Sequence, residues 1–381
     1  MSFISYGKQF IDSNDLKSVN KSLKESKLTT GPIVENFENQ LGSYLGNNYT
    51  IVCNSGTSAI YLAFRAIGVD KNDIIIMPAI NFVASYNVAK LLDAQVYLAD
   101  VDPETGIMRP EDVENCCKKF NIKKIKIILV MYNAGYPLNA EKFDKIKKKF
   151  KSYVVEDSCH ALGARYIVNK KTYKVGSCKH SDISTFSFHP VKTITTGEGG
   201  AITTKSKKLY EKIKILRSIG ISRHENHWKY DVKEYSFNFR ISDIQCALGI
   251  SQLKKIDKFL DKRKKIIKNY FTAFKNIKSI YLIKHLSGYK SANHLCLLKL
   301  KNFDLKKKDL FFKYMLKKKI LLQYHYIPIY NFSVFKDKYH APNAEKYYNK
   351  TISIPIYYSL TKKQQNYVIK NIINFFNEYK L

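Results

Sequence analysis

The 381-residue sequence has no apolar run long enough to cross a membrane. Its apolar stretch at 122–132 is interrupted by three lysines, whereas a transmembrane helix needs about 20 mainly apolar residues. The first residues also lack the basic and long apolar segments of a secretory signal peptide. We therefore expect a cytoplasmic protein without a membrane partner. The hydrophobic content of 45% excludes a disordered chain.

The sequence also lacks a cysteine pattern. Its seven cysteines are odd in number and form neither a disulfide framework nor paired C-x-x-C metal motifs. We expect most of them to be reduced, small and buried, and we assign no metal. Their positions are Cys53, Cys116, Cys117, Cys159, Cys178, Cys246 and Cys296.

Acidic residues are scarce: 32 stand against 65 lysines and arginines, for a net charge of +33. Such a charge is typical of nucleic-acid-binding proteins. The excess is mostly lysine, however, and it is spread along the chain. We interpret the runs at 147–149, 306–308 and 317–319 as solvated helix faces. Nucleic-acid binding is therefore the weaker hypothesis, although a positive field would attract an anionic nucleotide-sugar.

Short β-rich runs alternate with helical patterns through the first two-thirds of the chain. This alternation predicts a three-layer α/β/α domain with a mainly parallel, seven-stranded sheet. Ligands of such sheets bind at the carboxyl ends of the strands. The predicted strands are 49–53, 74–77, 95–99, 126–131, 153–156, 183–187 and 201–204.

The pattern changes near residue 256. A lysine-rich helix is followed by strand-like segments at 279–283 and 294–300 and by helices at 306–318 and 362–378. We predict a large domain at 1–255, which includes the N-terminal segment, and a smaller α+β domain at 256–381. The boundary would lie within a long helix that begins near residue 241.

One lysine stands apart from the others. Lys192 lies in the segment 187–200, Ser-Phe-His-Pro-Val-Lys-Thr-Ile-Thr-Thr-Gly-Glu-Gly-Gly, with no other lysine or arginine between Lys179 and Lys205. Asp157 ends an apolar run 35 residues upstream. An amine on a hydroxyl-rich turn and a carboxylate at the mouth of a strand suit pyridoxal 5'-phosphate (PLP). The amine forms a Schiff base with the cofactor aldehyde, and the carboxylate keeps the pyridine nitrogen protonated.

A phosphate site is predicted beside this pair. The segment 54–59, Asn-Ser-Gly-Thr-Ser-Ala, directly follows a strand and opens a helix, and a helix N-terminus with free N–H groups binds anions. The same residue types also serve as ordinary helix caps, so Gly56 and Thr57 gain weight only together with Ser187. Phe82 begins the next helical segment, where it could stack on the pyridine ring or pack in the core.

With these residues in place, the chain resembles the DegT/DnrJ/EryC1/StrS family of sugar aminotransferases over nearly its whole length. That family has the fold type I architecture of PLP-dependent aminotransferases. The marks of the resemblance are the segments 30–32 with 37–38, 54–59, 156–163, 187–200, and 238–240 with 244–249.

The resemblance implies a role for each candidate. Lys192 carries the cofactor, Asp157 pairs with the pyridine nitrogen, and Phe82 stacks on the ring. His160 packs beside the cofactor, and Asn238 reaches the phosphate of the neighbouring subunit, which implies a homodimer with shared active sites. The implied phosphate ligands of the chain's own site are Gly56, Thr57 and Ser187.

Two further candidates, Tyr6 and His325, would contact a nucleotide-sugar. Each has a structural alternative. His325 could be a hydrogen-bonded core histidine, and Tyr6 could be a surface aromatic near a mobile terminus. Asn238 could likewise be no more than the cap of the helix that begins near residue 241.

Within the family, the chain is most similar to the aminotransferases of pseudaminic acid biosynthesis. The closer marks are segments 5–6, 158–163, 194–196, 238–240 with 248–255, and 324–330. This implies transfer of the amino group of L-glutamate to C4 of a UDP-4-keto-6-deoxy-N-acetylhexosamine, UDP-2-acetamido-2,6-dideoxy-β-L-arabino-hexos-4-ulose. Another UDP- or dTDP-4-keto-6-deoxy sugar is the alternative substrate. Dehydratases of the family have histidine where Lys192 stands, which favours amino transfer.

Overall fold

The computed structural model describes residues 2–47, 49–223, 228–283, 287–301, 303–336 and 338–379. The strands are β1 (Tyr49–Cys53), β2 (Ile74–Pro78), β3 (Gln95–Ala99), β4 (Ile127–Met131), β5 (Tyr153–Asp157), β6 (Arg165–Val168), β7 (Lys171–Lys174), β8 (Ile183–Ser187), β9 (Gly200–Thr204), β10 (Ile221–Arg223), β11 (Tyr230–Val232), β12 (Ile280–Leu282), β13 (Tyr289–Lys290), β14 (Cys296–Leu300) and β15 (Thr351–Ile354).

The helices are α1 (Ser13–Ser22), α2 (Pro32–Leu45), α3 (Gly56–Ile67), α4 (Ala84–Leu91), α5 (Pro110–Lys119), α6 (Phe143–Phe150), α7 (Lys207–Arg217), α8 (Asp243–Leu253), α9 (Ile256–Phe274), α10 (Leu305–Lys317), α11 (Pro342–Lys350) and α12 (Lys362–Glu378). In the part of the chain that the structure describes, none of these helices combines the length and the apolar character needed to cross a bilayer.

A seven-stranded sheet forms the centre of the molecule, in the order β1-β9-β8-β5-β4-β2-β3. Strand β9 runs antiparallel to both of its neighbours, and the pairs from β8 to β3 are parallel. All seven strands expected from the sequence are in this sheet, with bounds that differ by one residue at most. Most of these strands can be recognised in the sequence because they are buried on both faces, as in β4 and β9, and therefore form short apolar runs. The edge strand β3 is buried only at its end.

Helix α3 shows how the sequence sets the ends of an element. Ser55 caps its start by accepting a hydrogen bond from the Ser58 N–H, and Gly68 ends it in the left-handed conformation at φ 79°. The helix packs against β8 and β9 on the sheet and against α4 and α7, and its residues Leu62, Ala63 and Phe64 are fully buried. This packing places the N-terminus of α3 next to the carboxyl end of β8.

The expected long helix from residue 241 is wrong. Two helices, α8 and α9, occupy that stretch, and Ser242 caps the first through a capping box with Gln245. Between them Lys255 leaves the helical conformation, with φ −104° and ψ 0°. Its ammonium lies 2.6 Å from a carboxylate oxygen of Asp15 on α1, and the Gln252 amide donates to the same oxygen at 2.8 Å. The break therefore coincides with a buried polar contact to a distant helix.

A second, smaller core lies among β12, β14, β15 and helices α9, α10 and α12. This smaller core also includes Ile4 from the N-terminal segment. Conversely, Ala292 and Tyr347 from the second half of the chain belong to the larger core. The division of the chain at residue 255/256 into two domains stays a prediction. Strands β6, β7, β10, β11, β13 and β15 were not anticipated, because most of them are short and rich in polar residues.

Lys308 corrects the interpretation of the lysine runs. Its side chain is fully buried, although the run 306–308 was expected on a solvated face. The ammonium lies 4.3 Å from the ring centre of Tyr324 and 4.2 Å from that of Tyr348, and it donates a hydrogen bond to the Tyr348 carbonyl. Cation–π attraction and this bond replace part of the lost hydration. Burial nevertheless lowers the pKa of Lys308 to about 7.

Candidate active site

The candidate residues meet in one cavity of about 490 Å³. It lies where strands β4, β5 and β8 end, next to the start of α3 and beside the segment 323–327. Nine of the ten candidates line it, and Asn238 does not. The nine are Tyr6, Gly56, Thr57, Phe82, Asp157, His160, Ser187, Lys192 and His325.

Asp157 is the last residue of β5 and is 3% exposed. One carboxylate oxygen accepts a hydrogen bond from the Ser85 hydroxyl at 3.3 Å, and the other accepts one from the Cys159 N–H at 3.2 Å. Both bonds fix the orientation of the carboxylate group. A buried carboxylate at this edge of the sheet is suited to hold a protonated ring nitrogen.

Lys192 lies in the turn between β8 and β9. Its N–H donates to the carbonyl of His189 at 2.9 Å, and the Thr195 hydroxyl closes the turn by donating to the Phe188 carbonyl at 2.9 Å. Burial lowers the pKa of Lys192, while the nearby Cys159 and Asp157 oppose that shift. A lowered pKa makes the neutral, nucleophilic amine more accessible.

The expected anion site has a tight geometry. Gly56 is the first residue of α3, and a Cβ built on it would lie 2.7 Å from the Cβ of Ser187 on β8. Only glycine lets the helix N-terminus come this close to the strand. The first N–H groups of α3 and the positive end of its dipole therefore lie close to the Ser187 hydroxyl.

Phe82 is 53% exposed, and its ring faces the cavity 5.8 Å from the ring of Tyr326. The Tyr326 hydroxyl in turn lies 2.9 Å from Nε2 of His160, which is buried. Burial holds the pKa of His160 well below its usual value. Phe82 therefore has a ring face exposed to the cavity. His160 is a neutral, hydrogen-bonded residue of the cavity wall.

His325 and Tyr6 lie together on another side of the cavity, with ring centres 5.3 Å apart. Nδ1 of His325 is 2.8 Å from the hydroxyl of Ser353, and burial lowers the pKa of His325 to about 3. His325 is thus both a hydrogen-bonded, buried histidine and a cavity residue. Tyr6 is half-buried, so it is not the surface aromatic of the alternative interpretation. Contact of either residue with a substrate stays a prediction.

Asn238 lies on the surface, outside the cavity. Its carbonyl accepts a hydrogen bond from the Asn54 amide at 3.4 Å, and its side-chain oxygen accepts one from the Arg240 N–H at 3.1 Å. Because Ser242 caps α8, the alternative role of Asn238 as that helix cap is wrong. Its expected role toward a neighbouring subunit stays a prediction.

Sequence reasoning missed several residues of the cavity wall. His294 packs against His160 with ring centres 4.2 Å apart and the ring planes tilted by 35°. Tyr326, which belongs to the segment 324–330, lines the cavity beside Phe82. Asn81, three residues after the end of β2, lines the cavity and is 1% exposed. Its position near a strand end was a usable signal, whereas nothing near His294 in the sequence pointed to the site.

The side chains fit a pyridoxal phosphate group. They supply an amine of lowered pKa, a buried carboxylate, a helix N-terminus for the phosphate and an aromatic face for the ring. Among the residues described, no cluster of three or more histidines, cysteines or carboxylates is arranged to hold a metal ion.

Comparison with known proteins adds independent findings. The profile of the DegT/DnrJ/EryC1/StrS aminotransferase family matches residues 9–373. The chain is 36% identical, over 381 residues, to the UDP-4-amino-4,6-dideoxy-N-acetyl-beta-L-altrosamine transaminase of Campylobacter jejuni subsp. jejuni serotype O:23/36 (strain 81-176). That similarity covers 99% of this chain and 98% of the transaminase.

Solved structures agree with the family match. PseC of Helicobacter pylori, an aminotransferase involved in the biosynthesis of pseudaminic acid, superposes with a TM-score of 0.92 at 31% identity, covering 99% of this chain and 100% of PseC. Spr1654 of Streptococcus pneumoniae, in its PLP-form, superposes with a TM-score of 0.90 at 24% identity and 99% coverage of both chains. At that identity the second likeness supports the fold, which is that of fold type I aminotransferases.

Proposed function

The chain belongs to the DegT/DnrJ/EryC1/StrS aminotransferase family, and on that premise we propose the reaction that it performs. It uses PLP to move the amino group of L-glutamate to C4 of UDP-2-acetamido-2,6-dideoxy-β-L-arabino-hexos-4-ulose, a step of pseudaminic acid biosynthesis. The observation that carries the proposal is the meeting of Lys192 and Asp157 in one cavity, in a chain 36% identical to an altrosamine transaminase.

Five groups would hold the cofactor. The backbone of Gly56 and Thr57 at the start of α3 and the hydroxyl of Ser187 would bind its phosphate. Asp157 would pair with the ring nitrogen, and Phe82 would cover one face of the ring. When bound, PLP supplies an aldehyde that bonds amines and a ring that accepts an electron pair.

Lys192 is the proton carrier of the proposed reaction. Its amine, with a pKa lowered by burial, takes the proton from the α-carbon of glutamate and later gives a proton to C4 of the sugar. A single base serves both half-reactions because each substrate places its reacting carbon in the same position. The carboxylate of Asp157 would balance the positive charge on the ring nitrogen.

The sugar would lie against Tyr6 and His325. Both rings line the cavity, and the neutral imidazole of His325 offers a hydrogen bond without adding charge. The many lysines of the chain would attract the anionic nucleotide-sugar to the cavity.

We further propose a homodimer with shared active sites. The segment around Asn238 follows on from Phe237 and Tyr235, which are 68% and 92% exposed, and a second copy of the chain would cover this aromatic surface. Asn238 would then reach the phosphate of the partner's cofactor. Seven free cysteines support a location in the reducing cytoplasm.

The test is to identify the product. The purified protein, with PLP and glutamate, is offered the L-arabino keto-sugar, its C5 epimer and a dTDP-4-keto-6-deoxy sugar in separate reactions. Mass spectrometry and NMR should show a new amino group at C4 with the L-arabino substrate at the highest kcat/KM. Preferred amination of either other sugar would replace the proposed substrate, and no amination of any would contradict the transaminase itself.

A further inference from the structure

A buried line of hydrogen bonds ends on the backbone of His325. It starts at Asn133, in the short turn after β4, whose amide donates to the Tyr347 hydroxyl at 2.7 Å. That hydroxyl lies 2.9 Å from the carbonyl oxygen of His325. Asn133, Tyr347 and His325 are 0%, 1% and 8% exposed. Solvent therefore cannot replace these bonds without opening the structure.

The direction of the bonds follows from the chemistry of the groups. The Asn133 amide also donates to the Thr105 carbonyl at 3.3 Å, and this contact orients its NH₂ group toward Tyr347. The Tyr347 hydroxyl must then accept from Asn133, so its single proton is free to be donated to the His325 carbonyl. Each group therefore donates to the next, from Asn133 after β4 to Tyr347 and then to the His325 carbonyl in the cavity wall.

The ring of Tyr347 cannot turn away. A Cβ on Gly106 would lie 2.6 Å from the ring, so the loop backbone packs directly against it. On another side Lys299 places its ammonium 4.7 Å from the ring centre. Lys299 is in turn anchored by bonds to the carbonyls of Pro103 and Glu104, both at 2.9 Å. The hydroxyl is thereby held at one position.

His325 is thus fixed at two points. Its carbonyl is held by Tyr347 and its Nδ1 by the Ser353 hydroxyl at 2.8 Å. Together these contacts set the plane of the imidazole that lines the cavity. Asp157 ends β5 and Lys192 lies in the turn after β8. Neither residue takes part in these hydrogen bonds.

We propose that Tyr347, oriented by Asn133, is a positioning residue that fixes His325 for the nucleotide-sugar. This inference rests on the proposed function. It assigns Tyr347 to binding of the keto-sugar and not to the reaction with glutamate, because the glutamate half-reaction needs the amine of Lys192 and the carboxylate of Asp157 but no contact from His325.

The experiment compares Tyr347→Phe with the wild-type protein in separate half-reactions. Loss of the hydroxyl should raise the KM for the keto-sugar about tenfold, the effect of one lost buried hydrogen bond. The rate of the absorbance change that glutamate produces in the PLP protein should stay within about twofold of wild type. Tyr166→Phe is the matched control, because it removes another buried hydroxyl, 2.9 Å from His180, away from the cavity.

A His325→Ala background tests whether Tyr347 acts through the imidazole. There, Tyr347→Phe should leave the sugar KM unchanged, since no ring remains to be oriented. Asn133→Ala provides a second route and should raise the sugar KM of the wild type in the same way, even if Tyr347→Phe folds poorly.

Three results would overturn the inference: an unchanged sugar KM in Asn133→Ala and Tyr347→Phe, equal slowing of both half-reactions, or a full effect of Tyr347→Phe without the His325 ring. These differ from failure of the proposed function. In that case the wild-type protein itself would show no absorbance change with glutamate or no amination of the sugar.

Discussion

At the scale of single residues, the surroundings of a side chain decide its chemistry more than its type does. Lys192 and Lys308 are both buried enough for their pKa to be lowered, yet only Lys192 lines the cavity with a carboxylate, Asp157, beside it. Lys308 is enclosed by tyrosine rings in the smaller part of the molecule. The ammonium group of Lys192 is therefore next to a cavity that can hold a ligand, whereas that of Lys308 contacts only its own protein core.

Lys192 is expected to be the lysine that bonds the cofactor. Borohydride reduction of the PLP-loaded protein, followed by peptide mapping, should place the pyridoxyl group on the peptide that contains Lys192. Lys192→Ala should abolish transamination and retain part of the PLP affinity through the phosphate contacts. The exposed neighbour Lys179 provides the control, since Lys179→Ala should behave as wild type. A label on any other lysine would refute the assignment.

The pH dependence of stability should reveal Lys308. Its pKa is about 7 in the folded protein and about 10.4 when unfolded, so between these values the unfolded chain binds the extra proton. The free energy of unfolding should therefore rise with pH in this window, by up to about 1.4 kcal/mol per pH unit relative to Lys308→Met. Below pH 7 both states are protonated, and the difference should be constant.

Denaturant unfolding of the two proteins from pH 6 to 9 measures this difference. The pKa of Tyr324 is raised to about 12, so that ring neighbour stays neutral in the window. Lys299, whose pKa is lowered to about 8, also titrates in this window, and its charge contributes to the lowered pKa of Lys308. Lys299→Met and the double variant Lys299→Met/Lys308→Met therefore complete the comparison. The exposed Lys306 on the same helix supplies the control Lys306→Met. A pH-independent difference for Lys308→Met would show that its ammonium is solvated.

At the scale of elements, the decisive contact is the N-terminus of α3 against the end of β8. Because Gly56 has no side chain, the start of the helix lies directly against Ser187 of the strand. The helix end consequently brings its N–H groups and its dipole to the same place as the serine hydroxyl.

Gly56→Ala should weaken cofactor binding. The added methyl group would meet Ser187 at 2.7 Å and would push the helix end away from the strand. We expect the dissociation constant of PLP, measured by fluorescence titration of the apoprotein, to rise at least about tenfold. Gly68→Ala at the other end of α3 is the control, since its φ of 79° makes it costly for stability without touching the anion site. Equal PLP affinity in Gly56→Ala would show that the phosphate binds elsewhere.

At the scale of the whole molecule, the cavity is assembled from distant parts of the chain. Tyr6 comes from the N-terminal segment, Asp157 from the central sheet and His325 from the second half. Asn238 lies outside it, on a surface with exposed aromatic residues. In the proposed dimer, Asn238 would contribute to the site of a second copy of the chain.

Mixing two inactive variants tests this proposal. Lys192→Ala and Asn238→Asp should each be inactive, the second because a carboxylate would repel the phosphate. Heterodimers carrying a different affinity tag on each chain should regain activity at one of their two sites. Random exchange at equal amounts should thus restore about one quarter of wild-type activity. Inactive purified heterodimers, or fully active monomers at high dilution, would contradict the shared site.

The sequence by itself determined the strands of the central sheet and the location of the candidate site. Both depend on short stretches of chain: apolar runs of about five residues for the strands, and a hydroxyl-rich turn or a capped helix start for Lys192 and Gly56. Local patterns of this kind are readable because the backbone period and the capping chemistry act over a few residues.

Only the tertiary structure decided how distant side chains complete one another. His294 on His160, Tyr347 between Asn133 and His325, and the tyrosines around Lys308 join residues that are far apart in sequence. The break between α8 and α9 likewise coincides with a contact to Asp15 of a remote helix. Hydrogen bonds and burial at such positions are set by the packing of several elements at once, so no local pattern carries them.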